Sequence, residues 1–247
     1  MLAIVGIRMS NINVGLIGIG KWGSILKQKL KKNSNLVFAV GRKKKYLDKL
    51  DKIDWAFIAT PDNSHYKIVK KLLILKKNVF CEKPLTLNYK KSKQLFDVAK
   101  KNKVRLYVDD VQTYYNKKIK LKKNNYIARK KKGHGIPKNL LYRFAYHDFY
   151  YLYNYIKKKK IKLIKINDKK FDLKFELRFN DNQLFIFDYS LRSEIKIHRI
   201  NGSSFITKQD VLAKMIRKIL YGKVDYDANM RRSLYANKLI DKINKKI

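Results

Sequence analysis

Two groups of residues in this sequence have types and spacings that could do chemistry. Gly18, Gly20 and Gly23 follow a short apolar run, Val14 to Ile17, and precede the helical stretch SILKQKLKK. In that order the first glycine makes a tight turn, the second lets a pyrophosphate approach the backbone, and the third lets helix pack on strand. Ile19, Lys21 and Trp22 complete the turn, and a helix N-terminus would face the phosphates. An ordinary glycine-rich turn is the plainer alternative, but Gly15, Gly18, Gly20, Gly23 and Gly41 put half of the chain's ten glycines here. The second group is Glu82-Lys83-Pro84 together with Thr60-Pro61, so that two of only three prolines follow apolar runs. Proline there fixes the exit path and can take a cis bond, aiming Lys83 into a cleft. A lysine beside an oxidised nicotinamide could exchange a proton with a substrate hydroxyl, although a solvated loop lysine is the usual role of lysine in this chain.

The elements between these groups alternate. LVFAV (36–40), WAFIAT (55–60), NVFC and VRLYV (104–108) read as strands, with KKKYLDKL, HYKIVKKLLIL and NYKKSKQLFDVAKKN as helices between them. Repeated βα units of this length predict a parallel sheet covered on both faces, with ligands beyond the carboxyl ends of its strands. The second strand ends in GRKKK, where a site for NAD would usually present an acid to the ribose hydroxyls. Arg42 stands there instead, which favours the 2′-phosphate of NADP over NAD, the alternative being one more solvated cation.

Composition bounds the rest. The chain of 247 residues is 45% hydrophobic and carries a formal net charge of +41, which raises nucleic acid as a partner. The lysine runs are scattered from Lys31 to Lys246, however, so they read as a general drift in residue usage on solvated faces and predict no specific nucleic-acid partner. Cys81 is the only cysteine, which excludes an intramolecular disulfide and a cysteine-based zinc site and fits a reducing cytoplasm; no metal site is expected. No apolar run approaches the roughly 20 residues of a membrane span, and residues 1–8 read as an extension upstream of a start at Met9.

GLIGIGKWG, DWAFIATPDNSHY and NVFCEKPLTLN, in order and at the expected spacing, resemble the glucose-fructose oxidoreductase / inositol dehydrogenase / MocA (Gfo/Idh/MocA) family. The resemblance implies an α/β protein: a Rossmann domain with a doubly wound parallel sheet over residues 1–112, then a reduced α+β domain with a mostly antiparallel open sheet over 113–247 that often mediates oligomerisation. It implies NADP- or NAD-dependent oxidation or reduction of a sugar, cyclitol or related hydroxyl compound. Lys83 would lie near the reacting carbon with Glu82 and Pro84 as its positioning neighbours, while Asn63 and His65 match positions lining the cofactor side, beside Thr60 and Pro61. LLYRFAYHDFYYLYNYI (140–156) looks like the family's helix with a His-Asp pair, making His147 the candidate active-site histidine and Asp148 its neighbour. Where the family commonly has an aspartate four residues earlier, this chain has Arg143, which cannot act as a base. Without the resemblance, His147 is as well read as a histidine packed in an aromatic helix.

Further on, IKLIKIND, FDLKFELRF, QLFIFDYS and EIKIHRI predict an antiparallel meander turning at Asn167-Asp168, Asn180-Asp181 and Arg192-Ser193. KQDVLAKMIRKILYG and ANMRRSLYANKLIDKI predict two closing amphipathic helices. The segment from Tyr115 to Leu140 is short, basic and low in apolar residues, and His134 within KKGHG reads as a loop residue. The leading expectation is a cytoplasmic, homo-oligomeric (dimeric or tetrameric) oxidoreductase acting on a small, anionic sugar derivative, with Lys83 as acid/base, His147 assisting, and Arg143 and Asp148 on the substrate. The alternative is a dinucleotide-binding sensor or partner-binding protein of the same fold that does not catalyse.

Overall fold

The computed structural model describes residues 12–41, 46–115, 117–133, 140–169, 171–207 and 209–246. The N-terminal extension, Arg42 and His134 therefore lie outside the described residues. Two compact units are formed. The first comprises residues 1–86, 90–109 and 210–230, and the second comprises 87–89, 110–209 and 231–247.

In the first unit the short apolar runs become β1 (Asn13–Ile17), β2 (Asn35–Val40), β3 (Trp55–Ile58), β4 (Asn78–Cys81) and β5 (Leu106–Val108). They are parallel throughout, in the order β2-β1-β3-β4-β5, with helices α1 (Lys21–Asn33), α2 (Asp62–Ile74) and α3 (Tyr89–Lys101) between them. A strand buried on both faces must be apolar along its whole length, and all four residues of β3 are buried. The helices instead bury one stripe: Gly23, Leu26 and Leu30 in α1, and His65, Val69, Leu72 and Leu73 in α2. The strand order reverses between β1 and β3, the place where such sheets receive ligands.

A cut after residue 112 would leave 210–230 outside this unit, yet α5 (Val211–Leu220) and the start of α6 (Tyr226–Asn244) belong to it. The reason is visible at the outer edge of β5. Val108 N–H donates to Asn229 Oδ1 at 2.9 Å, and Asn229 Nδ2 donates to the Val108 carbonyl at 2.8 Å. One side-chain amide thus does the work of a neighbouring strand.

The second unit is built on β6 (Asn124–Lys132), β7 (Ile161–Lys169), β8 (Asp172–Phe179), β9 (Leu184–Ser190), β10 (Arg192–Ile200) and β11 (Ser203–Ser204), in the order β11-β10-β6-β9-β8-β7. Only the β6–β9 pairing is parallel. Leu173, Phe175, Leu177 and Phe179 are buried, as their alternation predicts. Helix α4 (Tyr146–Ile156) packs on this unit's core through Phe149, whose ring meets Phe175 and Phe187 edge-on.

Three local readings shift. Strand β7 continues through Asn167 and Asp168, because Asn167 to Lys169 still pair with Lys174 to Asp172, so the hairpin turns later. The last turn falls at Leu191 and β10 already begins at Arg192. The basic segment after Tyr115 contains β6, a central strand whose lysines hid its pattern. Among the described residues no helix is long and apolar enough to cross a membrane.

Candidate functional site

The three glycines meet three different surroundings, and each surrounding explains its glycine. Gly18 has φ +102°, and a Cβ there would lie 2.4 Å from the Ala59 carbonyl oxygen, so neither backbone nor space admits a side chain. At Gly23 a Cβ would fall 1.9 Å from the Gly18 carbonyl oxygen, which fixes close packing of α1 on β1. At Gly20 nothing lies within 4 Å, leaving the backbone open to a ligand's approach. No side chain caps the N-terminus of α1, and its first turn carries no acid. These features suit an anion at that terminus. Ile19 and Trp22 are 42% and 40% exposed, presenting large apolar side chains on the same turn.

Beyond β3 and β4 the chain is tied back to this turn. Trp22 Nε1 donates a short hydrogen bond to Glu82 Oε1. Glu82 is buried just past β4 and Asp109 just past β5, whose paired ends are joined by the Asp109 N–H donating to the Cys81 carbonyl at 2.9 Å. Burial, and then the charge of Asp109, push the Glu82 carboxyl well above the ordinary carboxylate range. Lys83 follows, half-buried, and the Lys83–Pro84 peptide bond is cis. Cys81, directly before Glu82, is a fully buried thiol raised by burial and by the neighbouring acids. That makes it a packing residue and a poor nucleophile.

His65 takes a different place from the one its motif suggests. Its ring is 1% exposed, with Nδ1 2.9 Å from the Pro84 carbonyl oxygen and Nε2 2.9 Å from the Thr60 carbonyl oxygen. The imidazole braces the exit of β3 against the Glu82-Lys83-Pro84 turn from behind. Ser64 Oγ adds bonds to Thr60 Oγ1 at 2.8 Å and to the Pro61 carbonyl at 2.6 Å, whereas Asn63 and Pro61 are exposed.

The second unit holds the remaining candidates. His147, half-buried, begins α4 directly after a π-helical turn, Leu141–Ala145, in which Tyr146 N–H donates to the Leu141 carbonyl. Arg143 is exposed on that turn, whose winding is i to i+5. Asp148 is turned inward. It is fully buried, taking Arg129 Nε at 2.8 and 2.9 Å, Arg129 Nη2 at 2.7 Å and Tyr189 OH at 2.8 Å. Arg129 also donates to Gln112, and His198 Nε2 lies 3.3 Å from Asp148 as a looser contact. Burial pushes the Asp148 carboxyl up, but the Arg129 guanidinium prevails and holds it below the usual range. Burial and the same guanidinium push His198 down.

The structure thus gathers Gly18 to Gly23, Thr60, Pro61, His65 and Glu82 to Pro84 at one end of the parallel sheet, while Arg143, His147 and Asp148 belong to the other unit. Sequence reasoning missed Asp109, Arg129, Gln112, Tyr189 and His198. The Asp109-Asp110 doublet ending a strand was the one signal available for the first. Among the described residues no three His, Cys, Asp or Glu side chains group to hold a metal ion.

Comparison with known proteins follows the same division. Residues 27–110 match the Gfo/Idh/MocA family described as "Oxidoreductase family, NAD-binding Rossmann fold". An uncharacterized oxidoreductase of Streptococcus pneumoniae is 29% identical over 123 residues, a match that takes in 42% of this chain and about a third, 34%, of that protein's length. Among solved structures, UDP-N-acetylglucosamine 3-dehydrogenase GnnA from Acidithiobacillus ferrooxidans superposes with a TM-score of 0.81 at 14% identity, over 96% of this chain and 97% of that one. GenD2 from gentamicin A biosynthesis, in complex with NAD, gives 0.75 at 13% identity over 99% and 97%. At these identities the likeness is one of fold, and it extends through both units.

Proposed function

We propose that the chain is an NAD(P)-dependent oxidoreductase of the Gfo/Idh/MocA family, a reading supported by the match of residues 27–110 to that family. It moves a hydride between the nicotinamide and a hydroxyl-bearing carbon of a sugar, cyclitol or nucleotide-sugar-like compound. The observation that carries this reading is the glycine turn: two positions where a side chain cannot fit and one, Gly20, open to an approaching ligand, at the point where strand order reverses. The residues present fit a nicotinamide dinucleotide, with Gly18 to Gly23 for its phosphates. Arg42 favours NADP over NAD on sequence grounds.

The bound cofactor would supply the hydride acceptor or donor. The chain's own part is to hold and move the proton. In oxidation, the substrate hydroxyl would pass its proton to Lys83 Nζ, and His65 would keep the turn bearing Lys83 braced against the end of β3. His147 is assigned to orienting the substrate hydroxyl. Arg143, exposed on its π turn, is the remaining cationic candidate for an anionic substrate, whereas Asp148 is withdrawn from substrate contact by its ion pair. A homo-oligomer built on the open sheet is part of the same proposal.

The second reading, a dinucleotide-binding protein that does not catalyse, is favoured by the same commitment of Asp148 together with arginine at position 143. Titration with NADPH and NADH, followed by nicotinamide fluorescence, comes first, and tighter binding of NADPH is expected. Binding of neither would remove the oxidoreductase reading. With a substrate in hand from a sugar panel, Lys83→Met should keep dinucleotide binding and lose about 10²–10⁴ in turnover. Full turnover by that variant would take Lys83 out of the chemistry, and a confirmed binder inactive across the panel would favour the second reading.

A further inference from the structure

Asp109 has no place in the reading above, yet it is 2% exposed and follows β5 where a second buried acid, Glu82, follows the paired strand β4. The side chain of Trp22, a member of the glycine turn, reaches Glu82 through its indole N–H. We propose that Trp22 and Asp109 are positioning residues that act through Glu82, latching the glycine turn that would receive the dinucleotide to the turn that bears Lys83. This rests on the dinucleotide reading of that turn.

Two acids buried at neighbouring strand ends can share a proton. A carboxylate only accepts, so two carboxyl groups can bond to each other only when one of them holds a proton. The Glu82 side has the greater reason to hold it, since burial and the Asp109 charge both disfavour its ionised form. An uncharged Glu82 can donate to Asp109 with one oxygen and accept the Trp22 indole N–H with the other. It then presents no full charge to Lys83, the next residue. The groups facing Glu82 are Asp109 past β5, Trp22 from α1, Lys83 beside it in the chain and the Cys81 thiol before it. Removal of the shared proton would set two like charges side by side in a buried place and open the latch.

The test measures NADPH and NADH affinity from neutral into alkaline pH for the wild type, Trp22→Phe, Glu82→Gln, Glu82→Ala and the Trp22→Phe/Glu82→Ala pair, with circular dichroism as a check of folding. Trp22→Phe and Glu82→Ala should each weaken binding about tenfold, the loss of one buried hydrogen bond. The double variant should be no weaker than the worse single one, because both cut the same link. Glu82→Gln copies the protonated acid: its amide nitrogen donates to Asp109 and its oxygen accepts from Trp22. It should bind like the wild type wherever Glu82 keeps its proton and lose the weakening that the wild type shows as pH rises. A merely structural Glu82 would give neither the rescue nor the altered pH profile. Should Glu82→Ala not fold, Trp22→Phe decides alone, since it deletes an N–H from a ring 40% exposed. Wild-type protein that binds neither dinucleotide overturns the oxidoreductase reading and the latch with it. Wild-type binding matched by Trp22→Phe, or a folded Glu82→Gln that behaves like Glu82→Ala, overturns the latch alone.

Discussion

Each unit of this protein buries a carboxyl group beside the residues proposed to act, and each solves the cost of doing so in the opposite way. In the second unit Asp148 faces Arg129, whose guanidinium reaches both carboxylate oxygens, and Tyr189 supplies another donor. In the first unit Glu82 faces another acid, Asp109, with one indole N–H besides. The first arrangement is a closed set in which the charge is answered. The second, as proposed, is solved by a shared proton. A buried ion pair so fully bonded is scaffold: it pins α4, on which His147 sits, to β6. A buried acid pair next to a half-exposed lysine is sensitive to everything that moves a proton.

That contrast can be broken most directly by removing one member of each pair. Asp148→Ala strands the Arg129 charge and should cost about 3–5 kcal/mol in a urea unfolding experiment, the cost of leaving a buried charge without its partner. Asp109→Asn removes the like charge facing Glu82 and leaves an amide that can donate to it. It should change stability at neutral pH by less than about 1 kcal/mol. Equal losses from the two substitutions would show that the pairs are alike after all.

The same contrast explains what was legible in the sequence. The glycine turn and the Glu82-Lys83-Pro84 turn could be read because their demands are local: a positive φ, a missing Cβ or a ring that fixes φ belongs to one residue and its neighbours. The parallel sheet was legible for a related reason, its buried strands being apolar along their whole length. The paired charges were not. Arg129 lies in RKKK, where nothing distinguishes it from the lysines beside it, and only the fold turns it inward to Asp148 while Lys130 meets Asp188. Strand β6 was hidden for that reason: one of its inward positions is filled by an arginine whose counter-ion comes from another element. His65 was found by its motif and its direction was not. Whether a motif histidine faces a ligand or a carbonyl depends on the loop packed against it.

A pH series should separate the two clusters by sign. Asp148 is held below its ordinary range when folded, so the stability that it contributes is present above that range and is lost as pH falls. His198, lowered from 6.5, adds a loss in the same direction, because below about that pH the unfolded chain takes up the proton first. Glu82 is raised when folded. Its contribution is complete below the ordinary carboxylate range and is lost as pH rises through the raised value. Unfolding midpoints of the wild type should therefore decline toward both ends of the range. Asp109→Asn, which relieves Glu82 of its like-charged neighbour, should flatten the alkaline limb and leave the acid limb in place. An alkaline limb unchanged in that variant would mean that Glu82 does not share its proton with Asp109.

The smallest effect calibrates the others. Lys93 and Asp97 form an ion pair at 2.7 Å one turn apart on α3, with side chains 55% and 60% exposed. The distance equals that of Arg129 to Asp148, so a reading by distance alone would rank the two pairs together. Solvent decides otherwise: water screens the exposed charges, both side chains lose rotamer freedom to meet, and the lysine is N-terminal to the acid, the poorer order against the helix dipole. Lys93→Ala should cost no more than about 0.5 kcal/mol, and molar salt should erase what there is. Against that baseline, a loss several times larger in Asp148→Ala reflects burial together with the Arg129 and Tyr189 hydrogen bonds that the exposed pair lacks.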